Sequence, residues 1–188
     1  RARLGDLIYS EAEDGTLENT LVPLLAAQHR HLATAESCTG GLLAQRLTSV
    51  PGASDVFGLG AVTYAAAAKR RLLAVRPSTI KKYTVYSAPV AAEMAFGVRR
   101  QGKAEYGVGI TGIAGPDGGT ADKPAGTVYV AVCDSRHVWI KRLAVLHSPR
   151  DRVRRMAAQH ALDMVRRLAL GLPIPDARSF GRHDVVDF

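Results

Sequence analysis

Two polar interruptions in otherwise apolar stretches carry the residues best suited to chemistry. The first is Thr34-Ala35-Glu36-Ser37-Cys38-Thr39-Gly40-Gly41. It places a serine where the apolar run Leu32 to Ala35 should pass from strand to a helix marked by Leu42, Leu43, Leu47 and Val50. A hydroxyl at a helix N-terminus lies beside free backbone N–H groups and the positive end of the dipole. Ser37 there could be a nucleophile with an oxyanion site next to it. Ser and Thr are also the ordinary N-cap residues, and paired glycines can serve packing alone, so the turn by itself favours capping. In the second interruption, Tyr64 closes the small-residue strand Val56 to Tyr64, and Lys69 follows one turn into Ala65 to Leu73, a segment of high helix propensity. A lysine acts as a base only when desolvation or adjacent cations make its neutral form accessible. Arg70 and Arg71 adjoin it, though successive helical residues point in different directions; the alternative is an exposed helix lysine.

A third segment could meet an anion. Strand Tyr106 to Ile110 runs into Thr111-Gly112-Ile113-Ala114-Gly115-Pro116-Asp117-Gly118-Gly119-Thr120, whose glycines permit positive φ and close approach of backbone N–H groups. A surface connection that needs glycine only for shape reads the same way. The P-loop spacing is absent, with Lys123 too far along. Arg150, in the first turn of the last helix, opposes the helix dipole; either Asp151 offsets it or it helps hold an anionic ligand. Cys38 could be a depressed-pKa thiol at a helix start, but a small buried residue is the better reading for both Cys38 and Cys133. The two cysteines have neither metal-ligand spacing nor a disulfide framework. His160 falls on a buried helical stripe and reads as a core histidine.

The elements that must position these residues follow from periodicity. Residues 1–16 read as an ill-ordered arm. Leu17, Leu21, Leu24 and Leu25 outline a helix ending near Arg30, with Pro23 either kinking it or lying in the first turn of a helix that starts near Thr20. Ser49 to Gly52 is a turn, and the strand Val56 to Tyr64 is expected at the sheet centre. Pro77 to Tyr83 reads as a connection. Ser87 caps a helix with Pro89 in its first turn and Gly102 at its end. Gly126 to Cys133 and His137 to Leu146 form a hairpin. Ser148 to Asp151 opens the last helix in a capping-box-like pattern. Residues 171–188, after Gly171, Pro173 and Pro175, read as a tail.

The chain's 188 residues and 47% hydrophobic content suit one well-buried domain, here 17–170. No apolar run has membrane-spanning length, and the first residues lack the apolar core of a secretory signal, so a soluble, cytoplasmic protein is expected. The missing initiator Met suggests a processed or excised piece. A net charge of +8 invites a nucleic-acid reading, but aromatics are only 6% and the basic residues are dispersed, so nucleic acid is not the expected partner. Anionic small molecules suit the charge equally well.

Taken together, these motifs resemble the CinA C-terminal domain family, the nicotinamide-nucleotide amidases also called PncC. The resemblance rests on Ala35 to Gly41, Val50-Pro51-Gly52, Tyr64 with Lys69, Thr111 to Thr120, Lys123-Pro124 and Gly126-Thr127, and covers about residues 17 to 170. It implies an α/β fold: a single three-layer α/β/α domain with a central mixed sheet, in a family whose members usually associate as homo-oligomers. The implied activity is hydrolysis of nicotinamide mononucleotide to nicotinate mononucleotide and ammonia in pyridine-nucleotide salvage, with no metal or organic cofactor. Ser37 matches the family nucleophile and Lys69 its partner in a Ser/Lys dyad, with Tyr64 nearby. Glu36, Thr39, Gly40, Thr111, Gly112, Gly115 and Arg150 are the expected substrate-binding residues. Two departures stand out: Ala65-Ala66 replace a small polar residue and an asparagine before the lysine, and Ser148-Pro149 replace Gly-Asp before the arginine. Hence a catalytically weakened nucleotide-binding or regulatory module is the competing reading, with a nucleic-acid partner ranked last.

Overall fold

The computed structural model describes residues 5–13 and 15–188. Positions 1–4 and 14 of the expected arm lie outside the described residues. The sheet is built from β1 (Leu32–Glu36), β2 (Phe57–Val62), β3 (Tyr106–Gly112), β4 (Thr127–Cys133), β5 (His137–Ala144) and β6 (Arg178–Gly181), in the spatial order β2-β1-β3-β4-β5-β6. β1 runs parallel to both β2 and β3, and the remaining pairs are antiparallel, so the sheet is mixed.

Strand alternation divides the core into two faces. On β4, Val128, Val130 and Val132 join the cluster built with α1 (Leu17–Ala27), α2 (Leu42–Thr48) and α6 (Arg150–Ala169). The intervening Tyr129, Ala131 and Cys133 meet α5 (Ala88–Gln101) on the other face. α3 (Ala66–Leu73) and α4 (Pro77–Tyr83) pack against α5. Helices therefore cover both faces in three layers.

α5 lies close against the sheet because the residues between them are small. A Cβ added at Gly109 of β3 would run into the carbonyl oxygen of Ala91 and approach Ala95 N at 2.6 Å. Both obstacles are helix backbone, so the helix itself would have to move. Gly109→Ala is expected to lower stability by about 2–3 kcal/mol, read as a lower midpoint in urea with an unchanged slope.

Several elements differ from the sequence-based expectation. β2 is an edge strand, not a central one: its small residues suggested burial on both faces, but alternate residues are half-buried and exposed. Pro77 to Tyr83 is a short helix whose proline sits in its first turn, where a missing N–H costs little. α1 begins after Thr16, whose Oγ1 accepts from Asn19 N, so Pro23 lies in its interior. Pro149 sits at the N-cap of α6 without a side-chain cap, and Ser148 Oγ instead donates to Leu146 O at 3.3 Å.

Both ends of the described chain are tied down. In the stretch expected to be an arm, Asp6 pairs with the buried Arg167 at 2.7 Å. The expected tail returns to the sheet as β6, pairing antiparallel with β5, and Phe188 stacks on Phe180 at 6.1 Å between centroids.

Candidate active site

In an open α/β sheet, ligands bind where successive crossovers leave on opposite faces, outside the carboxyl ends of the strands. Here that point is β1. The chain leaves β1 through α2 on one face and returns from β2 to β3 through α5 on the other. Ser37 follows β1 directly, its N–H donating to Ile110 O of β3 at 3.0 Å. The hydroxyl is thereby fixed to rigid sheet at the crevice.

The turn after Ser37 is longer than expected. Gly40 and Gly41, at φ +60° and +94°, bend the chain so that α2 begins at Leu42 rather than beside the serine. Glu36 folds back beneath this turn. One carboxylate oxygen accepts from Gly41 N at 3.0 Å and Leu43 N at 3.1 Å, and the other from Ala44 N at 2.9 Å. Two expectations are corrected together: Glu36 is a buried helix cap rather than a ligand contact, and it occupies the α2 donors that were expected to form an oxyanion hole.

Lys69 reaches Ser37 from α3. Its Nζ lies 2.8 Å from Ser37 Oγ, 2.7 Å from Thr63 O and 3.1 Å from Tyr64 O. The lysine is 1% exposed, and burial pushes its pKa down to about 8 from an ordinary 10.5. Two main-chain carbonyls take two N–H bonds, which leaves the third direction on nitrogen for the serine. The same geometry serves an ammonium donating to Oγ and a neutral amine whose lone pair accepts the serine proton. Cys38 is the opposite case. Burial pushes its thiol up to about 11, so it is a protonated, unreactive neighbour and not an activated thiol.

Ser37 and Lys69 open into a cavity of about 360 Å³, which takes in Tyr64, Ala66, Gly112, Gly115 and Arg150 and is walled by Val85, Tyr86 and Asp117. Tyr64 stands largely exposed at its mouth, its hydroxyl accepting from Arg150 Nη2 at 3.2 Å. Arg150 Nη1 donates to Gly115 O at 3.0 Å. One guanidinium thus joins α6, the glycine-rich loop and the β2–α3 turn.

The remaining expected contacts lie outside the cavity. Thr39 is fully buried, and its carbonyl accepts from Arg154 Nη2 at 2.8 Å. Gly40 turns the chain. Thr111 Oγ1 donates to Val85 O at 2.8 Å, so it braces a wall without facing the ligand space. The sequence reading missed Val85, Tyr86 and Asp117 as lining residues. The only sequence signal for the first two is their place just before the Ser87 helix start. Among the described residues no cluster of His, Cys, Asp or Glu comes together that could hold a metal ion. No described helix is long and apolar enough to cross a membrane.

Fold and site together define an open α/β protein with a buried Ser–Lys pair at its topological switch point. The model of the CinA C-terminal domain matches residues 14–169, and the chain belongs to that family. It is 51% identical over 176 residues to a CinA-like protein of Desulfovibrio desulfuricans, covering 93% of this chain and 41% of that protein. It is 46% identical over 174 residues to a putative competence-damage inducible protein of a Thermoanaerobacter species, covering 93% and 42%. The chain thus spans about two-fifths of the length of these curated relatives. Among solved structures, the competence/damage inducible protein CihA of Agrobacterium tumefaciens superposes with a TM-score of 0.79 at 35% identity, covering 81% of this chain and 93% of that one. A CinA superfamily protein of Escherichia coli gives 0.78 at 31%, covering 88% and 98%.

Proposed function

We propose that the chain is an amidohydrolase that converts nicotinamide mononucleotide and water to nicotinate mononucleotide and ammonia. The observation that carries this reading is the 2.8 Å contact between the buried Lys69 amine and Ser37 Oγ. A lysine with a pKa near 8 keeps a usable neutral fraction at physiological pH, which a nucleophilic serine needs from its partner. In the proposed reaction Ser37 Oγ attacks the carboxamide carbon while its proton passes to Lys69 Nζ. The C–N bond then breaks, Lys69 returns the proton to the departing ammonia, and an acyl-enzyme ester remains. Water attacks that ester with Lys69 again taking a proton, the acyl–oxygen bond breaks as Lys69 returns that proton to Ser37 Oγ, and the nicotinate product leaves.

Since Glu36 occupies the α2 donors and Ile113 N–H is taken by Thr127 O at 2.8 Å, the lining residues Cys38, Gly112, Ala114 and Gly115 are the place to seek stabilisation of the tetrahedral oxyanion. Arg150 and the glycine-rich loop supply the side suited to a phosphate. Association of copies of the chain is proposed on the family resemblance alone.

Ammonia release from nicotinamide mononucleotide is the test, with Ser37→Ala run alongside. Turnover by the wild type and a loss of at least about 10³-fold in the variant are expected; equal turnover by the two would refute the assignment. Ala66 supports a second reading, because it lines the cavity where the family resemblance expects an asparagine. Binding of the nucleotide by a folded wild type without ammonia release would select a nucleotide-binding module instead.

A further inference from the structure

Two walls of the cavity are loops: residues 84–87, which contribute Val85 and Tyr86, and the glycine-rich loop after β3. A site on loops is only as well defined as the contacts that hold them. The first wall is held at both ends. At its start, Lys123 Nζ donates to Tyr83 O at 3.3 Å; at its finish, Ala88 N donates to Asp187 Oδ1 at 3.0 Å. Lys123 and Asp187 are themselves paired at 2.7 Å, with side-chain exposures of only 19% and 21%.

Lys123 also closes the far end of the glycine-rich loop. Its carbonyl accepts from Thr120 N at 3.0 Å, and its own N–H donates to Thr120 Oγ1 at 3.2 Å. A single carboxylate, Asp187, therefore joins the two loop walls. It is well anchored, since β6 pairs with β5 and Tyr129 Oη donates to Phe188 O at 3.2 Å on its other side. Its position at the N-terminus of the 14-residue α5 also suits a negative charge. Asp187 lies beyond the 14–169 segment that the family match covers.

We propose that Asp187 is a positioning residue for the cavity's ligand: through Ala88 N–H and Lys123 it latches the 84–87 wall to the glycine-rich loop and so sets how tightly the site grips its substrate. The identity of that substrate rests on the amidase reading; the latch does not. Asp187 touches neither Ser37 nor Lys69, so its loss acts on binding rather than on the chemical step.

The test compares wild type with Asp187→Ala by amide hydrogen exchange and by steady-state ammonia release from nicotinamide mononucleotide. Exchange is expected to quicken at least tenfold in 84–88 and 113–123 while β1 and α6 keep their protection. KM should rise about tenfold, with kcat within twofold. Asp187→Asn, which keeps an oxygen for Ala88 N–H but loses the negative charge that pairs with Lys123, should fall between the two in KM. Faster exchange confined to 182–188, or raised uniformly across the chain, overturns the latch. A kcat loss at constant KM, or no kinetic change, overturns the positioning role. A wild type that releases no ammonia refutes the amidase reading, while the exchange comparison still decides the latch.

Discussion

Replacing Lys69 by methionine is expected to reduce ammonia release from nicotinamide mononucleotide by about 10²- to 10⁴-fold, the range for losing a positioned proton-transfer group, while leaving a folded protein. Methionine preserves much of the side chain's length and removes the base. In the wild type, kcat/KM should rise about tenfold per pH unit up to about pH 8 and then level, because only the neutral amine can take the Ser37 proton. A profile flat from pH 6 to 9 would rule Lys69 out as that acceptor.

The same substitution makes a stability prediction with a definite sign. Lys69 has a pKa of about 8 in the folded protein and an ordinary value of 10.5 when exposed. Below pH 8 both states carry the proton, and the folded state bears the full penalty of a buried charge. Between about 8 and 10.5 the unfolded chain binds a proton that the folded chain has lost, so wild-type stability gains on the order of 3 kcal/mol through this window. Lys69→Met lacks that gain. At pH 7 its relief from the buried charge opposes the loss of donors to Thr63 O and Tyr64 O, about 1–3 kcal/mol for each buried acceptor left unpaired. The variant should therefore lie near wild type at pH 7 and fall behind it by about 3 kcal/mol toward pH 10.5. Parallel denaturant titrations at several pH values measure the difference, and other groups cancel between the two proteins.

The Ser–Lys pair was legible only through the family resemblance, since the residues alone left Lys69 open as an exposed helix lysine; in the structure the two meet because each sits near a strand's carboxyl end and parallel neighbours bring such ends together. Ser37 follows β1, and Lys69 lies one turn into the helix after β2. Contacts that depend on distant partners were not legible. The four residues of β6 have no apolar alternation, and Asp187 meets Ala88 across 99 positions. The partners of the basic residues were hidden for a related reason. Arg46, Arg76, Arg166 and Arg167 are held by Glu18, Glu93 and Asp163, pairings that charge counting cannot see. Glu36 was expected at the ligand through the family resemblance, but alternation at the end of β1 and the positive φ of Gly40 and Gly41 send its carboxylate beneath the turn.

Glu36 is accordingly where the largest loss of stability is expected. Its carboxylate is 1% exposed and satisfies three N–H groups around the α2 N-terminus. Helix starts leave such donors without intrahelical partners, and Leu42 to Thr48 is too short to hold its shape without tertiary support. Alanine in place of Glu36 would leave Leu43 N buried without an acceptor and open a polar void under the Ser37 turn. The expected cost is about 3 kcal/mol, or roughly 10 °C in Tm for a chain of this size. Activity should fall as well, since the turn carrying Ser37 loses its floor. Glu36→Gln separates the two effects: its carbonyl oxygen can still accept, but its amide group must face an N–H donor, so a smaller stability loss with a persistent activity defect is expected. Thermal melts and ammonia release on both variants decide the matter. Wild-type stability in Glu36→Ala would show that water replaces the carboxylate, whereas wild-type stability with lost activity would return Glu36 to the reaction itself.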